Sequence, residues 1–150
     1  MKNLFALLCF VFVIAGFAHA QDSAPDSLIN AFKKDDVKAL SGFLTKDKIN
    51  NCFGNYSLLS QAIRYHAPKC FNLLIAKGAD VNKICNNYVP PLMHAAKYGS
   101  LEMVKILVSK GADINFKYQG DYEPAISETP ETYAAKNNQP EIAEYLKSLK

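Results

Sequence analysis

Catalysis and metal binding need histidines, thiols or carboxylates at set spacings, and this chain of 150 residues has few candidates. Its three histidines are His19, His66 and His94. None stands in a metal-ligand pattern such as His-Glu-x-x-His, which puts two imidazoles and a general base on one helix face. A nucleophile turn of the Gly-x-Ser-x-Gly type is absent, and no glycine-rich loop could cradle a phosphate. The carboxylates are scattered and read as solvated helix faces. The expectation is a non-enzymatic protein without metal or cofactor. Thiol chemistry is the one remaining option: Cys52 and Cys85 are separated by 33 residues, with Cys70 between them.

The first twenty residues read as an address. Met1-Lys2-Asn3 is a short cationic start, Leu4 to Phe17 is uncharged and apolar, and Ala18-His19-Ala20 is a small-x-small cleavage site. That run is too short to cross a hydrocarbon core of ~30 Å, and no basic stop-transfer cluster follows it. Cys9 lies inside the run instead of just after it, which argues against a lipid anchor. The expectation is export, to the periplasm if the source is Gram-negative, with no stable membrane anchor once residues 1–20 are cleaved. Losing Lys2 leaves 16 basic residues against 14 acidic ones, a net charge of +2. Nucleic-acid binding needs a denser basic footprint than that.

The remaining chain is built from copies. Lys77-Gly78-Ala79-Asp80-Val81-Asn82 returns as Lys110-Gly111-Ala112-Asp113-Ile114-Asn115, 33 residues later. Ala62-Ile63 matches Ala95-Ala96, and Leu73-Leu74-Ile75 matches Ile106-Leu107-Val108, at the same offset. A fainter upstream copy runs from Leu28 and Ala31 through Val37 to Leu44 and into Lys48-Ile49-Asn50. Downstream, Thr129-Pro130 and Ala134-Ala135 follow Pro90-Pro91 and Ala95-Ala96 by 39 residues, which places a six-residue insertion in the loop between.

Each copy reads as helix, turn, helix and projecting loop. Pro90-Pro91 opens a first helix, where a missing N–H does no harm. Leu92, Ala95 and Ala96 form its apolar stripe, and Gly99 ends it. A second helix follows from Leu101 to Val108, with core candidates Leu101, Val104, Ile106, Leu107 and Val108. His66 and Asn138 fill the slot of Gly99, and both residue types tolerate positive φ. Cys70 falls on the packed side of its helix, as a buried free thiol. Glu131 and Lys147 replace apolar residues of the inner copies, as suits a terminal unit.

A period of 33 with the ending Gly-Ala-Asp-hydrophobic-Asn resembles the ankyrin repeat. The resemblance spans 26–150, with units near 26–51, 52–84, 85–117 and 124–150, an inserted loop at 116–127 and a short flexible start at 21–25. It implies an all-α fold, a solenoid of about four stacked helix-turn-helix repeats with hairpin-like loops, expected as a monomer. The family motif Thr-Pro-Leu-His is broken here, because Met93 occupies its histidine slot and His94 stands one place later. The resemblance also implies a concave face where protein partners dock. Lys33, Arg64, Lys97 and Lys136 occupy one register position of that face, with Tyr65 and Tyr98 beside them. Such a row is either a binding ladder or a set of solvated bases. The loops add Phe53, Tyr56, Asn86, Asn87 and Tyr88, and the inserted loop adds Tyr118 and Tyr122.

Cys52 and Cys85 occupy the same slot in successive loops. Export permits a disulfide between them. Equivalent points in stacked helical units should lie ~8–10 Å apart, whereas a disulfide needs Cα atoms about 4.4–6.8 Å apart. A bridge therefore requires the loops to lean together, and two free thiols are the alternative. Three roles fit these features: a binding scaffold, an inhibitor or immunity-type protein that blocks an exported enzyme, and a redox accessory factor using the loop cysteines.

Overall fold

The structure, a computed structural model, describes residues 24–119 and 127–150. The apolar leader and Tyr122 lie outside the described residues. Four helix pairs succeed one another: α1 (Asp26–Lys33) with α2 (Val37–Ser41), α3 (Leu58–Arg64) with α4 (Pro68–Ala76), α5 (Pro91–Tyr98) with α6 (Leu101–Ser109), and α7 (Pro130–Lys136) with α8 (Pro140–Ser148). Two antiparallel hairpins sit in the connections, β1 (Cys52–Phe53) with β2 (Tyr56–Ser57) and β3 (Tyr118–Gln119) with β4 (Ser127–Glu128). This is the all-α stack of helix-turn-helix units. Among the described residues no helix is long and apolar enough to cross a membrane.

Local chemistry sets the helix ends. The Ser57 hydroxyl accepts from the Ser60 N–H at the start of α3, and Thr129 with Thr132 forms a capping box on α7. At α5 that slot holds Pro90, and no side chain caps the helix. Between the helices of every pair the chain must pass through the left-handed region. Asp35 (φ 49°), His66 (φ 50°), Gly99 (φ 78°) and Asn138 (φ 58°) hold that one position in the four units. At Gly99 space matters too, because an added Cβ would come within 2.7 Å of the Gln139 side chain.

Asp35 adds a second function at its turn. The α4 N-terminus has no side-chain cap of its own. Instead the Asp35 carboxylate, from the preceding unit, accepts from the Lys69 N–H at 3.1 Å and the Cys70 N–H at 2.8 Å. Negative charge at a helix N-terminus also meets its partial positive charge. The repeated Gly-Ala-Asp-x-Asn ending does similar cross-unit work. Asp80 and Asp113 each close a local turn by accepting from the N–H of Asn82 and Asn115. Asn82 then reaches the next unit, accepting from the Asp113 N–H at 2.9 Å and donating to the Gly111 carbonyl at 3.0 Å. Asn50 accepts from the Asp80 N–H at 2.8 Å in the same way.

Packing follows from position in the row. α3 lies against α4 and α5, and α5 lies against α3, α6 and α7. Inner first helices are therefore buried nearly all round: Leu58 to Ile63 in α3 and Pro91 to Ala96 in α5. Ala62, Ala95 and Ala134 lie fully buried along this row, small enough to let the helices close up. Second helices bury one stripe only, such as Cys70, Phe71 and Leu74 in α4. In α6, Met103, Val104 and Leu107 are buried while Leu101, Ile106 and Val108 are half-buried against the core. At the C-terminal end Lys147 is exposed and Glu131 pairs with Lys150 at 2.5 Å.

Asp35→Ala should lower the unfolding free energy by about 1–2 kcal/mol in urea denaturation, the scale of a lost helix cap. Asp35→Asn should recover most of that loss, since asparagine keeps an acceptor oxygen and tolerates the backbone angle.

Candidate interaction surface

Cys52 and Cys85 form a disulfide, with Cα atoms 5.8 Å apart. The expected ~8–10 Å spacing holds for helix axes and does not govern these loops. Extended segments approach to about 5.5 Å, and the Asn86 amide draws the second loop in by donating to the Gly54 carbonyl at 3.4 Å. Cys85 is buried and Cys52 half-buried. Cys70 is a buried free thiol. Burial, then a hydrogen bond and negative charge from Asp35, pushes its pKa up to about 12. A thiol held in that form is a poor nucleophile.

Beside the disulfide, groups from two successive units converge. Tyr56 comes from β2, Gln61 and Arg64 from α3, Asn87 from the loop before α5, and His94 and Tyr98 from α5. The Arg64 guanidinium lies 3.7 Å from the Tyr56 ring centre. Its Nε donates to the Tyr98 hydroxyl at 3.4 Å and its Nη1 to Gln61 Oε1 at 3.2 Å. The His94 ring meets Tyr56 edge-on at 5.4 Å and stacks with Tyr98 at 6.3 Å. Asn87 Oδ1 accepts from the Val89 N–H, which turns its amide nitrogen toward His94 Nε2 at 3.0 Å. That orientation makes Nε2 the acceptor and leaves the ring proton on Nδ1. Burial, followed by the positive charges of Arg64 and Lys97, lowers the His94 pKa from 6.5 to about 4. His94 is therefore neutral at pH 7.

Chemically this is a cluster of rings around one ordered cation. Among the described residues no cluster of three or more His, Cys, Asp or Glu could hold a metal ion. A family model for ankyrin repeats (3 copies) matches residues 26–118 and, overlapping, residues 59–150. The chain belongs to the ankyrin-repeat family. Ankyrin repeats are generally protein–protein interaction modules and are typically non-enzymatic. A comparison with curated proteins finds no match.

Within the ankyrin-repeat frame, the four register-matched bases differ in state. Lys33 is exposed in the last turn of α1. Arg64 is half-buried among the groups just described. Lys97 is exposed, with Nζ 5.7 Å from the Tyr98 ring centre. Lys136 pairs with Glu128 at 2.5 Å. Tyr65 stacks on Phe32 at 6.4 Å, turning it partly toward the core. Phe53 also packs against the core, whereas Tyr88 is 67% exposed at its loop tip, and Tyr118 pairs with Glu128 across the β3–β4 hairpin. Two residues central to the convergence, Gln61 and His94, were not among those anticipated for the surface. For His94 the signal was its displacement from the ankyrin motif slot; for Gln61 there was none.

Two outcomes follow from this geometry. As pH falls, the unfolded chain protonates His94 first, near 6.5, while the folded protein resists until about 4. Stability from this group is fully present above pH 6.5 and fades toward pH 4, a loss on the order of 3 kcal/mol that His94→Gln should abolish in urea titrations. For the disulfide, the non-reduced protein should weigh two hydrogens less than the reduced one. Replacing Cys52 and Cys85 by serine should cost about 3–4 kcal/mol, the chain-entropy value for a loop of this length.

Proposed function

We propose that the protein is an exported, non-enzymatic binding module that engages a protein partner through the concave row of first helices and the adjoining loop tips. The observation that carries this reading is the Arg64 ensemble, an ordered cation flanked by Tyr56 and Tyr98 at the seam between two units. Arginine and tyrosine are frequent energetic anchors at protein interfaces. The exposed Tyr88 extends the same surface outward with rigid contact area. Export is supported by the tripartite leader and by the Cys52–Cys85 bond, since such bonds persist in oxidising compartments. The same bond is what favours a second reading, a redox accessory role. Burial of Cys85 weighs for the scaffold, because a shielded disulfide exchanges slowly.

Reversing charge in Arg64→Glu with Lys97→Glu should weaken capture of the native partner from the exported fraction by about tenfold or more, with the far-ultraviolet circular dichroism spectrum unchanged. Undiminished capture by the folded double variant would contradict the proposal.

A further inference from the structure

Arg64 is restrained from three directions and still has donors to spare. A guanidinium carries five N–H groups. Tyr98 takes the one on Nε and Gln61 takes one on Nη1. One N–H on Nη1 and both on Nη2 therefore have no protein acceptor among the described residues. No carboxylate of the described residues lies within ion-pair distance of Arg64, since the ion pairs there are Lys136–Glu128 and Lys150–Glu131. The group is half-buried with one face against the Tyr56 ring. A partly desolvated cation without a counter-charge is costly to keep. Lys97 adds a second positive charge from α5, and it is likewise without a carboxylate partner among the described residues. His94, also at the seam, is neutral and adds no further positive charge.

Building on the binding-module reading, we propose that Arg64, walled by Tyr56 and Tyr98 and supported by Lys97, is a receptor for one carboxylate side chain on an acidic segment of the protein partner. In this proposal the remaining Nη1 N–H and one Nη2 N–H form a fork at the free edge of the guanidinium. That fork matches the two oxygens of a planar carboxylate, which it can bind bidentately. The tyrosine rings supply apolar walls for the aliphatic stem of a glutamate. Gln61, buried and fixed within α3, holds the fork in place before the ligand arrives. Preorganisation of this kind reduces the ordering cost of binding.

The test is a titration of the 15N-labelled oxidised protein with the probe acetyl-Glu-Glu-Glu-Glu-amide, observed at the Arg64 Nε–H resonance and, in every variant, at the backbone amides of Gln61 and Tyr98. A saturable shift is expected with a dissociation constant on the order of mM. It should vanish with acetyl-Gln-Gln-Gln-Gln-amide and weaken about tenfold in Arg64→Lys, which keeps the charge but loses the fork. An equal response to the glutamine peptide, equal affinity in Arg64→Lys, or no saturable shift at Arg64 would each overturn the proposal. The glutamate-versus-glutamine comparison uses the unaltered protein, so it stands even if the variant fails to fold. If the peptide fails while charge reversal still abolishes partner capture, the receptor is wrong and the binding module survives. If both fail, the wider reading falls with it.

Discussion

The structure depends on shared burial between neighbouring helix pairs. A pair of helices of 5 to 9 residues cannot cover its own apolar side. α3 and α5 solve this by being enclosed on several sides, with Ala62, Ala95 and Ala134 keeping the row tight. Cross-unit hydrogen bonds add direction to what burial alone would leave free to slide. The Asp35 carboxylate on α4 and the Asn50 and Asn82 side chains on successive loops each fix one unit's register against the next. Burial supplies the driving force, and these polar ties select one arrangement.

The cluster around Arg64 is a product of that stacking. Tyr56 and Arg64 belong to one unit, whereas Asn87, His94 and Tyr98 belong to the following one. The Arg64–Tyr98 and Tyr56–His94 contacts that join them exist only when the two units sit side by side. The disulfide ties the loops that carry Tyr56 and Asn87, so it stabilises the fold and the surface together. A cation embedded in such a seam differs from a solvated lysine because its rotamers are already restricted. Lys33 and Lys97 share its register and lack that confinement.

Much of the architecture was legible because a 33-residue copy is a statement about units, and apolar spacing within one unit applies to the others. The left-handed slot was readable at His66, Gly99 and Asn138 from residue type alone. Asp35 stands two residues after Lys33 as His66 does after Arg64, so the register that aligned those two bases pointed to it as well. The surface was less legible. Register placed Arg64 and Tyr98 on one face, but the sequence carries no sign that Lys136 is engaged by Glu128 or that Tyr65 turns onto Phe32. The cysteine spacing was readable and the loop approach was not, because helix-packing distances do not apply to hairpins tied by Asn86.

Residue-resolved hydrogen exchange under native conditions tests the central claim most directly, since it reports which segments open together. If neighbouring pairs complete each other's cores, the protected amides of α3, α4, α5 and α6 should exchange only through one common opening with the free energy of global unfolding. Independent opening of either pair at a much lower free energy, with the other still protected, would contradict the account.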